Sequence, residues 1–125
     1  MIADTTFLSD LLDERDRGQR GPAVSFFHSH RREIIRTTII SVAEIAVMFE
    51  SAQAAWRWLG KWSVYRLHDG IANAASDIDR LLRDEGHRLG ENDNWIAGFA
   101  AYYREPIISR DRGFDRVPQL RRLVY

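Results

Sequence analysis

The chain has 125 residues, 45% of them hydrophobic and 29% charged, which is the make-up of one globular domain large enough for its own core. Basic and acidic residues balance at 18 each, so the net charge is zero, which argues against a mainly electrostatic binder of nucleic acid. Cysteine is absent, which excludes disulfides and thiolate zinc sites and suits a reducing, cytoplasmic setting; the opening MIADTT has no basic leader, and no apolar run approaches the roughly 20 residues that cross a bilayer.

Met1-Ile2-Ala3 reads as a minimal first strand, with Asp4 directly after it. DTTFLSDLLDERDRG then places Phe7, Leu8, Leu11 and Leu12 on one helical face and stops in the Arg/Gly-rich turn Arg17 to Gly21. Pro22 suits the first turn of a second helix, which carries Val24, Phe26 and Phe27 and a basic tail from His28 to Arg32. Ile34 to Ile40 is rich in β-branched residues and predicts a buried strand, leading into a helix over SVAEIAVMFE. AAWRWLGKW predicts a shorter helix broken at Gly60, and Ser63 to Leu67 a third strand. Asp69 to Glu85 has Ile71, Ala74, Ala75, Ile78, Leu81 and Leu82 at helical spacing, and Gly86 supplies a C-terminal stop. Asp93 opens another helical run that Glu105-Pro106 ends; Ile107-Ile108-Ser109 predicts a strand with Asp111 just past it, and Leu123 to Tyr125 a last edge strand. Strands alternating with helices predict a single α/β domain over residues 1–125, with a mainly parallel sheet covered on both faces.

Open α/β sheets bind ligands outside the carboxyl ends of their strands. Four acids fall near that edge: Asp4 after the first strand, Glu44 a helical turn after the second, Asp93 at a helix start and Asp111 after the next strand. Each has a structural role open to it. Ser41-Val42-Ala43-Glu44 fits a capping box, Asp4 and Asp93 fit N-caps, and Asp111 fits a turn. Four carboxylates at one edge repel one another unless a cation neutralises them, and hard oxygen ligands without sulfur point to Mg²⁺ or Mn²⁺. The histidines lack a ligand spacing, phosphate-binding glycine motifs are absent, and Trp56, Trp58 and Trp62 read as core or partner groove. A phosphoacceptor receiver domain would share the strand-end acids, but it expects a lysine near the last strand; Lys61 is the only lysine, and the other 17 basic residues are arginine.

The blocks ADTTFLSDLL, SVAEIAVMF and NDNWIAGFAAYYREPIISRDRGFDRVPQL together resemble the signature blocks of PIN-domain ribonucleases, and their order and spacing resemble the VapC-type toxins of bacterial toxin–antitoxin pairs. The resemblance covers essentially the whole chain and implies a PIN-like three-layer α/β/α sandwich. It implies a Mg²⁺- or Mn²⁺-dependent endoribonuclease whose metal-binding acids match Asp4, Glu44, Asp93 and Asp111. Thr6 and Ser109 match the accompanying hydroxyl residues. Arg110 and Arg112, with Arg15, Arg17 and Arg116, are candidates for holding the RNA backbone. The partners implied are an RNA substrate, a cognate antitoxin and a second copy of the chain. The faces Phe7/Leu11, Phe26/Phe27 and Trp56/Leu59 are expected walls for the antitoxin. Many relatives have one more acid two residues after the last; here Gly113 stands there and Asp115 is displaced. That departure keeps open a catalytically degenerate PIN domain that binds RNA or protein without cutting.

Overall fold

Five short strands, β1 (Ile2–Ala3), β2 (Arg36–Thr38), β3 (Ser63–Tyr65), β4 (Ile107–Ile108) and β5 (Arg122–Leu123), build the sheet of this structure, a computed structural model describing residues 1–125. Their order is β3-β2-β1-β4-β5 and every pairing is parallel. Ala3 pairs with Ile108 and Ile2 with Ile107, so β1 and β4 end side by side. Side chains alternate across the sheet as the two-residue period requires. Ile2 and Ile107 enter one apolar cluster, while Ala3 and Ile108 enter the other.

Two helices, α5 (Asp69–Asp84) and α6 (Glu91–Tyr103), cover the first face, where Ile71, Ile78, Leu82, Ile96 and Phe99 pack. The second face lies under α1 (Thr5–Asp16), α2 (Pro22–Ser29), α3 (Ile39–Ala46) and α4 (Ala52–Leu59), through Phe7, Leu8, Leu11, Val42, Ile45 and Leu59. The three-layer α/β/α sandwich is thus formed. No helix is long and apolar enough to cross a membrane.

Local chemistry moved several boundaries. The expected strand Ile34 to Ile40 shrinks to Arg36–Thr38, because the Thr38 side chain accepts a hydrogen bond from the Ser41 amide at 3.1 Å and starts α3 at Ile39. An N-cap here overrides the β-branched preference of Ile39-Ile40. The same cap removes the capping box expected at Ser41-Glu44: Ser41 lies buried inside the helix. Helix α3 stops at Ala46, short of the end expected for SVAEIAVMFE, and Val47 and Met48 are exposed. Helix α6 starts at Glu91 with Gly90 before it, so Asp93 is a first-turn residue and not the N-cap. Gly86, at φ 74°, follows α5 as expected, and Arg104, at φ 54°, closes α6 ahead of Glu105-Pro106. The last strand ends at Leu123, short of Tyr125.

The turn between α1 and α2 is held by one side chain. Glu14 accepts hydrogen bonds from the amides of Ala23 and Val24, at 3.1 and 2.8 Å, satisfying two N-terminal donors of α2 that no other side chain caps. Glu14→Ala should lower unfolding free energy by about 1–2 kcal/mol. Urea denaturation reads this, and an unchanged midpoint would show that water replaces the carboxylate at no cost.

Candidate active site at the carboxyl edge of the sheet

Parallel pairing of β1 with β4 sets Asp4 and Ser109 next to each other at the carboxyl edge, and the Asp4 amide donates to the Ile108 carbonyl at 3.2 Å. Asp4 also caps α1: its Oδ1 accepts from the Phe7 amide at 2.7 Å. The expected capping role is therefore real, and it occupies Oδ1. Asp4 is 3% exposed. Burial pushes its carboxyl up to about 6; the Ser109 side chain and the Phe7 amide pull it down, and the charges of Asp93 and Asp111 push it further up. Asp93, half-buried in the first turn of α6, is also raised, by burial first and then by Asp111 and Glu44. The four acids named from the sequence thus act on one another electrostatically at this edge.

Glu44 reaches the edge from α3 with both carboxylate oxygens engaged. The Thr5 hydroxyl donates to Oε2, and Asn92 Nδ2 donates to Oε1 at 2.8 Å. Sequence reasoning missed Thr5 and Asn92. Thr6, the residue implied by the family resemblance, is exposed, and it is Thr5 that meets Glu44. The doublet Thr5-Thr6 gave no means of choosing between them. Asn92 would have been found only by pairing α3 with the start of α6.

Asp111 is exposed and folds back on its own chain: its amide is held by the Ser109 hydroxyl at 2.9 Å, and its Oδ1 accepts from the Gly113 amide at 2.7 Å. That contact caps the 3-10 turn Arg112–Arg116. A Cβ at Gly113 would come within 3.1 Å of Asp111 Oδ1, so the glycine allows the tight turn that positions Asp111. Asp115 does not substitute for the missing acid, because Arg122 grips both of its oxygens at 2.8 and 2.7 Å.

The arginine candidates divide. Arg110 is paired with Asp10 and lies over the Tyr125 ring at 5.3 Å, so its guanidinium is already engaged. Helix α1 starts at the acid edge and carries Arg15 and Arg17 roughly 15–20 Å away from it at about 1.5 Å per residue, which removes both from the site. Arg17 is also paired with Asp13 at 3.0 Å. Arg112 and Arg116 make no ion pair and flank the 3-10 turn beside Asp111.

The donor set suits a hard divalent cation in kind, being all carboxylate and hydroxyl oxygen, with the carboxyls of buried Asp4 and half-buried Asp93 raised by burial first and by like charge second. The side chains are not drawn together into a cage, as no three acids or histidines group closely enough to hold one ion.

A family model described as the PIN domain matches residues 1–120. The chain belongs to the PIN domain family. Its fold is shared with chains of several solved toxin–antitoxin assemblies. One is VapBC2 from Rickettsia felis, bound to a DNA fragment from their promoter, at TM-score 0.82 and 14% identity over 99% of this chain and 97% of that one. Another is DNA-bound VapBC from Salmonella typhimurium, at TM-score 0.81 and 18% identity over 98% and 96%. A third is VapBC-1 from nontypeable Haemophilus influenzae, at TM-score 0.79 and 19% identity over 98% and 96%. Among curated proteins, no sequence matches.

Proposed function

We propose that the chain is a divalent-metal-dependent endoribonuclease and the toxin of a cytoplasmic toxin–antitoxin pair. The observation that carries the reading is the meeting of Asp4, Glu44, Asp93 and Asp111, from four separate segments, at one sheet edge where two of the carboxyls are held above their ordinary range. Membership of the PIN family and the fold shared with VapBC chains support it.

Asp4 and Asp93 would be the main holders of Mg²⁺ or Mn²⁺, with Asp111 and Glu44 completing the negative wall. When bound, such an ion lowers the pKa of water and stabilises charge on phosphate and leaving oxygen. The chain's own part is geometric and electrostatic. Ser109 orients Asp4 and the Asp111 backbone; Thr5 and Asn92 fix Glu44; Thr6, exposed at the first turn of α1, is free to meet substrate. Arg112 and Arg116 would hold the RNA backbone through paired hydrogen bonds. Attack by water forms one P–O bond and breaks the bond to O3′, leaving a 5′-phosphate and a 3′-hydroxyl. Incubation with a labelled single-stranded RNA should give such ends in Mg²⁺ and intact RNA in EDTA. Intact RNA in both would remove the enzymatic reading.

A second reading, a PIN domain that binds RNA or protein without cutting, is favoured by one observation: the acids are not grouped tightly enough to hold an ion as they stand. The RNA incubation separates the two.

The antitoxin surface proposed from the sequence needs revision. Phe7, Leu11 and Leu59 are core residues, buried almost completely, and cannot line a groove. Trp56 is 42% exposed and remains available to a partner, while Phe26 and Phe27 are half-buried, Phe26 stacked on His30 at 3.9 Å. Trp56→Ala should weaken the complex with an antitoxin about tenfold or more in Kd if Trp56 anchors it. Isothermal titration against the product of a neighbouring reading frame reads this, and an unchanged affinity removes Trp56 from the surface. Self-association into a homodimer belongs to the same proposal.

A further inference from the structure

The end of the molecule opposite the acids carries its own chemistry. Ile35 and Trp62 directly precede β2 and β3, so in a parallel sheet both mark the amino edge, away from Asp4 and Ser109. Between α2 and α4 at that edge lies a hollow of about 280 Å³ whose walls include the rings of Phe27, Trp58 and Trp62 together with Arg15, Arg31 and Lys61. The rings stand against one another at 5.9 Å (Phe27–Trp62) and 5.8 Å (Trp58–Trp62). Two further hollows adjoin it round the end of α2, share Arg31 with it and have no apolar lining; they add Arg20, Arg32, His28 and Ser29.

We infer that this amino-edge trough is a second contact site for single-stranded RNA, with phosphates along the arginines and a base held against Phe27, Trp58 and Trp62. Arg15, Arg20, Arg31, Arg32 and Lys61 make no ion pair, although the chain as a whole is neutral. One acid, Glu33, also lines this region; it lies 4.0 Å from His30 and makes no ion pair with the arginines or Lys61. Arg15, Arg31 and Lys61 share one hollow, and Arg20 and Arg32 join Arg31 in those beside it, a run of cations that suits a polyanion. Hollows lined wholly by polar groups beside one lined by rings fit a polymer bearing a charge and a flat ring in every repeat. That is the pattern of single-strand binding surfaces, in which arginines track the backbone and aromatics take the bases. Trp58 and Trp62, read from sequence as core or partner groove, acquire this role through the cations that the fold brings to them, Arg15 and Arg31 from α1 and the end of α2. The inference extends the ribonuclease reading by giving the strand a second grip away from the acids.

The test is fluorescence anisotropy of a labelled 12-nucleotide single-stranded RNA, in EDTA so that binding is read apart from cutting. Arg31→Ala and Lys61→Ala change exposed side chains, and thermal melting by circular dichroism confirms that each still folds. Each should weaken Kd about 3- to 10-fold and lower the slope of log K against log salt by about 0.7. Trp58→Leu should weaken Kd about fivefold or more and leave the salt slope unchanged. Wild-type affinity in all three variants would overturn the site. So would tight binding of polyglutamate that Trp58→Leu weakens as much as it weakens RNA, because the pocket would then belong to an acidic protein segment. RNA binding in EDTA with no cleavage in Mg²⁺ would keep the trough and remove the nuclease reading. Cleavage by a protein whose trough variants bind normally would do the reverse.

Discussion

On the proposed function, Asp4→Asn should abolish Mg²⁺-dependent RNA cleavage and at the same time make the protein more stable at neutral pH. Both halves follow from one buried carboxyl. Its loss as a metal-binding oxyanion should reduce cleavage by at least about a hundredfold. Asparagine keeps the oxygen that accepts from the Phe7 amide, so the start of α1 survives. The stability change has a definite sign. The folded carboxyl titrates at about 6 against an ordinary 3.8, so the folded state holds the proton more tightly than the unfolded chain does. Its contribution to stability is present at low pH and is lost as pH rises from about 4 through about 6, amounting to about 3 kcal/mol above that range. Asp4→Asn should therefore raise Tm at pH 7.5, with the difference from wild type vanishing near pH 4. Mg²⁺ should raise the Tm of wild type and leave the variant unchanged. A variant that melts lower than wild type at pH 7.5 would show that the carboxylate is stabilised where it lies.

Gly98→Val is expected to have the largest effect away from the site. Helices α5 and α6 touch at Gly98, where an added Cβ would lie 2.8 Å from Ala75 Cβ and 3.1 Å from its Cα and backbone nitrogen. Ala75 has no flexible end to swing aside, so the helices must separate, and Asn94, which donates to the Ala75 carbonyl at 2.9 Å, is pulled with them. Valine should cost about 3 kcal/mol or more. Alanine at 98 gains about 1 kcal/mol of helix propensity and still loses overall. Thermal denaturation reads both, and a Gly98→Ala protein that melts above wild type would mean that the contact is looser than this. Because α6 also carries Asp93, a destabilised Gly98 variant that still folds should lose metal affinity along with stability.

The order of strands and helices was legible because their apolar periods are strong: Phe7, Leu8 and Leu11 in α1, and Ile71, Ile78 and Leu82 in α5, are buried as their spacing requires. Boundaries were less so wherever a single polar side chain outweighed propensity, as Thr38 did in turning Ile39-Ile40 from strand into helix. The shared edge of the acids was legible because Asp4 and Asp111 follow strand ends, Asp93 lies in a first helical turn and Glu44 one turn or so past a strand. Their partners were not, since Glu44 is met by Thr5 and Asn92, residues 39 and 48 positions away that no local pattern connects to it. Arginines were the least legible. Arg110 and Arg112 look alike in sequence as cations beside Asp111, yet Arg110 is claimed by Asp10 and Arg112 makes no ion pair, while Arg15 belongs to the opposite edge. Charge that pairs through tertiary contact leaves no periodic trace.

Calorimetric titration with Mn²⁺ tests most directly whether the four acids form a cation site. Wild type should bind Mn²⁺ at or below millimolar concentration, Asp4→Asn and Asp93→Asn should each lose that heat while remaining folded, and Asp115→Asn should retain it. A wild-type protein that takes up no Mn²⁺ at millimolar concentration, or acid variants that bind as wild type does, would contradict the account.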